Sequence, residues 1–331
     1  MKKVLLASTA LVVSAGIASA DVSLSGFAEL GIIDDDTETQ FHTDIDVTFT
    51  MSGETDGGLT FGASIDLDES DGDPSAAFGN TDEGGETLFI SGSFGTLTMG
   101  DTDGALDRAL TEAIFGGSIT DENEHAGYNG NNGLDGTYDG QIARYDYSFG
   151  DVALAISAEL DDSGAGDPVI GLGVSYDVDL GGVDLGLGLG YQTVSGAGAD
   201  AAAAPPTTGI DADLIGFSVD AGFAGGFSAA ASFIVGDVTD NGVALEDPEH
   251  IGLAVGYTMD ALTIGLNWGE FSDWVLREDP GESDSSGFGL VVGYDLGGGA
   301  ELQFGIADND LDEADGGEDT TVWSLGLAMS F

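Results

Sequence analysis

The last stretch of the chain, residues 320–331, alternates strictly between two kinds of side chain. Successive residues of an extended strand point to opposite faces, so the large apolar members share one face and mostly small residues occupy the other. A strand with lipid on one side and water on the other needs this pattern, and it is typical of the closing strand of a bacterial outer-membrane barrel. We therefore expect a transmembrane β-barrel. The large apolar members are Trp323, Leu325, Leu327, Met329 and Phe331.

Residues 1–20 have the features of a secretory signal peptide. Lys2 and Lys3 form a positively charged start, an apolar stretch follows, and Ala18-Ser19-Ala20 matches a cleavage site. We expect the mature chain, residues 21–331, to fold outside the cytoplasm. It has no cysteine, so disulfides and thiolate metal sites are excluded. It also has no second run of about 18 apolar residues, so helical membrane spans are not expected.

The charge of the chain is strongly one-sided. There are 5 Lys and Arg residues against 61 Asp and Glu residues, which gives a net charge of −56. Only Arg108, Arg144 and Arg277 remain after the expected leader is removed, so nucleic-acid binding is excluded. A hydrophobic content of 42% argues against disorder. The acidity fits a solvated surface in a salty habitat or a role in handling cations, and the two interpretations are compatible.

Alternation with a period of two recurs along nearly the whole mature chain and predicts sixteen antiparallel strands, although the segments 86–93 and 96–101 alternate poorly. In the first three strands the apolar face carries no charge. Charge is kept off that face because a charged side chain at the lipid-facing midplane costs about 2–4 kcal/mol. The predicted strands are 22–33, 41–52, 58–68, 86–93, 96–101, 141–149, 151–160, 169–180, 182–193, 210–223, 226–236, 250–259, 261–271, 286–296, 299–307 and 320–331.

The connections between these strands alternate between long and short. Short turns on one rim and long loops on the other are how an up-and-down membrane barrel is built. The longest connection, residues 102–140, begins with Leu106, Leu110 and Ile114 at spacings of four, which predicts a short amphipathic helix.

Aromatic residues near the strand ends are expected to form the interfacial girdles of the barrel. They are Tyr145, Tyr147, Phe149, Tyr191, Tyr257, Trp268, Phe271, Trp274, Tyr294, Trp323 and Phe331.

Three stretches resemble the general porins of Gram-negative outer membranes, in particular the alphaproteobacterial, Rhodobacter-type branch. They are residues 49–64 (FTMSGETDGGLTFGAS), 88–105 (LFISGSFGTLTMGDTDGA) and 293–310 (GYDLGGGAELQFGIADND). The resemblance implies a sixteen-stranded trimeric barrel in the outer membrane, beside lipid and lipopolysaccharide. It also implies that the third outer loop folds into the lumen and narrows the pore. Such a protein passes small hydrophilic solutes, has no catalytic activity and needs no cofactor.

In this sequence the pore-narrowing loop is 102–140, and charged residues on it and on the adjacent wall are the candidates for the constriction. Relatives place basic wall residues opposite an acidic loop; Arg144 fits that role or that of a local salt-bridge partner, and both remain open. Enteric porins often carry arginine at the position of Asp101, so its absence here favours cation preference. The candidates are Asp101, Asp103, Asp107, Arg108, Glu112, Asp121, Glu122, Glu124, Arg144 and Asp146.

Dense carboxylates also raise the prospect of bound Ca²⁺, which takes six to eight oxygen ligands. The best cluster is Asp308, Asp310, Asp312 and Asp315, although it lacks the spacing of an EF-hand. Diffuse counterions explain the same acidity. Two alternatives to a general porin stay open: an acidic secreted Ca²⁺-binding surface β-protein, and a substrate-specific outer-membrane channel. No nucleotide-binding or hydrolase motif is present in the sequence.

Overall fold

The alternating pattern produces extended strands, and the backbone of each strand needs hydrogen-bond partners on both sides. In the computed structural model the first strand, β1 (Asp21–Asp34), pairs antiparallel with both its sequence neighbour and the last strand, β17 (Thr320–Ser330). The sheet therefore closes on itself as a barrel. The structure describes residues 21–68, 82–121, 123–198, 209–245, 247–274, 284–311 and 318–331.

Sixteen strands form the wall of the barrel within these described ranges, and each pairs with the next along the chain. A further two-residue strand, β12 (Val243–Ala244), only lengthens one outer loop, because β11 (Phe227–Asp240) pairs directly with β13 (Glu249–Met259) beside it. The remaining strands are β2 (Thr39–Glu54), β3 (Thr60–Asp68), β4 (Asp82–Gly92), β5 (Gly95–Asp101), β6 (Gln141–Phe149), β7 (Val152–Glu159), β8 (Val169–Asp179), β9 (Val183–Ala197), β10 (Ile210–Phe223), β14 (Leu262–Ser272), β15 (Ser285–Gly297) and β16 (Ala300–Leu311).

Each predicted strand corresponds to one strand of the wall, so the all-β, sixteen-stranded barrel is confirmed. The predicted ends were wrong by four residues at four outer loops. β4 begins at Asp82 instead of residue 86, and β16 continues past residue 307 to Leu311. β9 continues past residue 193 to Ala197, and β11 continues past residue 236 to Asp240. Both extensions occur because backbone pairing with β10 continues there, joining Ala197 and Asp240 to Ile210. The predicted signal peptide lies outside the described residues.

The outer surface of the barrel is apolar. Large hydrophobic side chains that a water-soluble protein would bury are exposed along every part of the wall, including Leu172, Leu253, Leu266 and Leu325. Lipid is the solvent that such a surface requires, and a closed barrel satisfies the backbone hydrogen bonds that lipid cannot. No helix in the described residues is long and apolar enough to cross a bilayer.

The prediction that strand-end aromatics face the lipid was wrong for Phe271 and Trp274. Both side chains are buried, and their rings lie 5.1 Å apart in an edge-to-face arrangement. Phe271 falls on the inward face of β14, where its ring also lies 4.5 Å from that of His250. The parity of the strand explains the error, because Phe271 is one residue out of phase with the outward-facing Leu266.

The main buried apolar cluster is inside the barrel, between the wall and the loop that connects β5 to β6. Leu106, Leu110 and Leu134 of that loop pack against wall residues of β8 to β11 and against Phe271 and Trp274. The barrel therefore has lipid outside and a packed, loop-filled layer along part of its inner surface.

We expect Leu266→Arg to destabilise the barrel by about 2–4 kcal/mol, because residue 266 is central in β14 and its side chain is 46% exposed to lipid. Urea unfolding in lipid vesicles measures this. The control is Thr48→Arg, which places the same charge on the inward face of β2 beside Asp66. Equal destabilisation by the two variants would contradict the assignment of the faces.

Candidate functional site: the loop inside the barrel

Residues 102–140, here called the inner loop, run along the inner wall of the barrel. A short helix near the start of the loop, α1 (Ala105–Ala109), contacts β7, β8 and β9. Farther on, a single 3₁₀ turn (Ile119–Asp121) contacts β16, β17 and β1. The loop thus extends from one side of the lumen to the other before it returns to β6.

Helix α1 is held at its start by groups that are distant in sequence. The first backbone N–H groups of a helix have no partner within the helix, and no side-chain cap is present at Gly104. Instead, the Gly104 N–H donates to Asp135 Oδ2 at 2.7 Å, and the Ala105 N–H donates to Ser157 Oγ of β7 at 2.8 Å. The barrel wall and the returning part of the loop therefore fix where the helix begins.

The predicted amphipathic helix is shorter than its spacing indicated. It ends at Ala109, and Leu110 has the extended dihedrals φ −91° and ψ 151°. Wall contacts replace helical hydrogen bonds from there: the Thr111 N–H donates to Ser218 Oγ and its hydroxyl donates to Asp220. Ile114 therefore lies outside the helix, whereas Leu106 and Leu110 are buried as expected.

Polar side chains of the wall hold the returning part of the loop by its backbone. The Asn267 amide donates to the Asn123 carbonyl at 2.9 Å, and Asn309 Oδ1 accepts from the Ala126 N–H at 2.7 Å. Gln192 Oε1 accepts from the Leu134 N–H at 2.7 Å.

Near the exit, Glu159 Oε1 accepts from the N–H groups of Tyr138 and Gly140, at 3.1 and 2.8 Å. Sequence reasoning missed these anchors. Their common signal is a lone amide, hydroxyl or carboxyl group on an inward face, which the alternation alone treats as ordinary lumen lining.

Arg144 joins the inner loop to β6. Its side chain is buried, with the residue 8% exposed, and Nε lies 3.0 Å from Asp146 Oδ2. Its Nη1 donates to the Asp103 carbonyl at 2.5 Å and to Thr102 Oγ1 at 3.2 Å. Of the two roles left open by the sequence, these contacts favour the local salt-bridge partner.

Arg108 has a more exposed position than Arg144. Its side chain is 54% exposed, and Nε lies 3.8 Å from Asp146 Oδ1, so Asp146 faces both arginines. Asp107, the preceding residue, is partly buried. Burial raises the pKa of Asp107 to about 8, and the neighbouring carboxylates of Asp103 and Asp135 contribute to the rise.

Other acidic groups of the inner loop are also perturbed. Glu112 accepts a short hydrogen bond from the Tyr128 hydroxyl. Reduced hydration inside the barrel raises the pKa of Glu124 to about 7, with smaller contributions from Asp121 and Glu112. Burial likewise raises the pKa of Asp135 to about 6. The charge of this loop therefore changes around neutral pH.

The remaining candidates are distributed unevenly. Asp121 is exposed at the end of the 3₁₀ turn, and Glu122 lies outside the described residues. Asp101 is exposed at the end of β5, where it pairs with Gln141, and it takes part in none of the ion pairs of the described residues.

The wall beside β1 and β2 is acidic as well. Asp44 and Asp46 lie on the inward face of β2, and Asp66 follows on β3, where it accepts from the Thr48 hydroxyl at 2.8 Å. Oε2 of Glu29 on β1 lies 3.4 Å from Nε2 of His42 on β2, and both side chains are buried. The resemblance implies a basic wall opposite an acidic loop, but the inward faces of β1, β2 and β3 carry these acidic residues instead.

The structure does not assemble the expected Ca²⁺ cluster in its described part. Asp308 and Asp310 are exposed on β16, opposite Phe288 and Ser286, while Asp312 and Asp315 lie outside the described residues. Among the residues that are described, no group of three or more His, Asp or Glu side chains is arranged to hold a metal ion.

The family model that describes Gram-negative porins matches residues 7–314 of this chain. The chain belongs to the Gram-negative porin family. A porin from Rhodobacter capsulatus is 32% identical over 339 aligned residues, which cover 94% of this chain and all of that one. A porin from Fuscovulum blasticum is 27% identical and covers 75% of this chain and 73% of its own length.

Solved structures show the same architecture. A porin structure refined at 1.8 Å resolution superimposes with a TM-score of 0.69 at 27% identity, over 94% of this chain and all of that one. A triple mutant of Rhodopseudomonas blastica porin superimposes over the same shares with a TM-score of 0.63 at 20% identity, which supports the fold alone. This porin is therefore an outer-membrane channel protein and not an enzyme.

We expect Arg144→Met to loosen the start of the inner loop in this porin and to lower the free energy of unfolding by about 2 kcal/mol. The change leaves Asp146 and the Asp103 carbonyl without their buried donor. Arg108→Met is the matched control. That change should cost near zero, because the side chain is mostly exposed and its ion pair is long. Unfolding in urea and the rate of protease cleavage within the loop measure both; equal losses would contradict the anchoring role.

We expect cation preference to rise between pH 6 and pH 9. A carboxyl group with a raised pKa is neutral below that pKa and gains its charge above it, so Asp107 ionises around pH 8 and Glu124 around pH 7. Asp107→Asn should remove the upper part of the rise, whereas Asp36→Asn on an exposed outer loop should not. Reversal potentials at several pH values measure this, and an unchanged pH profile in Asp107→Asn would contradict it.

Proposed function

We propose that this porin forms a water-filled channel for the passive diffusion of small hydrophilic solutes and ions, with a weak preference for cations. A sixteen-stranded barrel is wide enough to leave an aqueous lumen, unlike an eight-stranded one that side chains fill. The inner loop occupies part of that lumen, so its inward surface sets the width and charge of the path.

The distribution of charge along the lumen carries the cation preference. The described wall and loop contain two arginines, and both face Asp146 within 4.0 Å. Carboxylates lie on both the loop and the wall. Glu112 is on the loop, where Asp107 adds its charge only above its raised pKa of about 8, and Asp44, Asp46 and Asp66 are on the wall. A permeating cation meets acidic groups on either side, whereas an anion finds its basic partners already neutralised.

The preference is weak because salt screens distant charges. The Debye length is about 8 Å at physiological ionic strength and about 3 Å at 1 M. The many carboxylates of the outer loops therefore contribute little, and selectivity depends on the few beside the ion path.

The assembly is proposed from the family resemblance. We propose a homotrimer embedded in the outer membrane beside lipid and lipopolysaccharide. Its support in this chain is the large exposed apolar surface of β1 to β5, for example at Phe41 and Met99, which requires lipid or another subunit as its neighbour.

Planar-bilayer recording tests the proposal. Folded protein should form steady channels, and a KCl gradient should give a reversal potential of the sign for cation preference. The double variant Asp44→Asn and Asp66→Asn should lower the cation-to-anion permeability ratio by about twofold, since it removes two lumenal charges.

The matched control for this pair is Asp308→Asn with Asp310→Asn, which removes two exposed charges from the outer face of β16. Its permeability ratio should stay at the wild-type value. Anion preference in the wild type, or equal effects of the two pairs, would refute the charge argument. Failure of folded protein to form channels would refute the channel itself.

A further inference from the structure

Glycines on the inward face of the barrel coincide with the path of the inner loop. Glycine weakens a strand because it loses more backbone conformational entropy on folding than other residues and has no side chain to pack. A set of strand glycines on one face therefore needs a compensating gain in stability or function. The strand pairing brings many of them into direct register.

Three groups of glycines are neighbours across adjacent strands. Gly190 of β9 pairs with one glycine on β8 and another on β10, and Gly269 of β14 pairs likewise with β13 and β15. Gly31 of β1 pairs with Gly326 of β17. These eight residues are here called the glycine trench: Gly173, Gly190, Gly216, Gly252, Gly269, Gly287, Gly31 and Gly326.

Each group lies directly beneath a different part of the inner loop. A Cβ atom added at Gly173 or Gly190 would lie within 3.0 Å of the backbone of α1, a separation that real Cβ atoms essentially never show. One added at Gly269 would meet the Gly127 carbonyl oxygen, and one at Gly31 or Gly326 would meet the Ile119 side chain, equally closely.

Neighbouring inward glycines extend the same contact. A Cβ atom at Gly188, Gly265 or Gly289 would lie within 3.0 Å of a carbonyl oxygen of the loop. Backbone atoms cannot rotate away as a side chain can, so these positions admit no side chain while the loop keeps its place.

Resting on the proposed function of a diffusion channel, we propose that the glycine trench and these neighbours determine the aperture of the pore. They let the backbone of the loop pack directly against the backbone of the wall. The width of the pore is the part of the lumen that the loop does not occupy. Both ends of the loop are fixed, at β5 and β6, so a methyl group beneath it moves the loop toward the barrel axis.

The test substitutes alanine beneath the loop and records single-channel conductance in planar bilayers. Gly265→Ala and Gly173→Ala should each lower the conductance by about one-fifth or more. Each should also lower the size of the largest sugar that enters proteoliposomes in swelling assays. Gly222→Ala, on the inward face of β10, is the matched control, and Gly26→Ala, on the lipid-facing side of β1, is a second control. A Cβ atom at either position would meet nothing closer than 3.5 Å. Their conductance should stay within about one-tenth of the wild type.

A compensating pair separates aperture from folding. A Cβ atom at Gly216 would meet the end of the Leu110 side chain and no backbone atom of the loop, so Gly216→Ala should lower the conductance less than Gly265→Ala does. Leu110→Ala in the same chain should restore the wild-type conductance. Heat-modifiable mobility in detergent gels shows which variants are folded. If Gly265→Ala and Gly173→Ala do not fold, the Gly216 pair decides the question.

Folded Gly265→Ala or Gly173→Ala with unchanged or larger conductance would overturn the proposal, as would failure of Leu110→Ala to restore Gly216→Ala. These outcomes are distinct from failure of the proposed function, which is a folded wild-type protein that forms no channel.

Discussion

Backbone hydrogen bonding in a solvent that offers no partners is the constraint on which this structure depends. Lipid cannot pair with an exposed N–H or C=O group, so an open strand edge is excluded and the last strand must pair with the first. The pairing of Glu29 with Ala328 and of Gly31 with Gly326 provides that closure. A closed wall with lipid outside and water inside then enforces alternation along every strand, and that alternation is visible in the sequence.

Closure leaves an interior that must be filled or kept open, and the inner loop does both. Wall side chains such as Gln192 and Asn267 supply hydrogen bonds to the loop backbone, and inward glycines supply the space beneath it. Arg144 fixes the start of the loop to β6. The acidic groups that remain beside the path then act on whatever enters, so the same contacts that hold the loop also set the properties of the channel.

The sequence predicted the number of strands and most of their limits, because lipid on one side and water on the other impose an alternation of apolar and polar residues along nearly the whole chain. It did not predict that Phe271 faces inward, since one residue of phase separates the two faces of a strand. The length of α1 was also wrong, because wall residues such as Ser218, far away in sequence, compete for the Thr111 N–H. The anchors and the glycine trench were not predictable, since both depend on which strand positions are neighbours across the sheet.

The position of the inner loop is the central claim, and a disulfide trap tests it most directly in a chain that contains no cysteine. A Cβ atom at Gly171 of β8 would lie 3.2 Å from Cβ of Ala105, close to the 3.5–4.5 Å found across disulfides. It would also lie 2.3 Å from Ser157 Oγ, so the trap is built in a Ser157→Ala background that removes this hydroxyl. In the double variant Ala105→Cys and Gly171→Cys, the bond should form in nearly all folded barrels on mild oxidation, with the same conductance before and after reduction. Folded barrels that form no bond, or that change conductance when it forms, would show that the loop lies elsewhere.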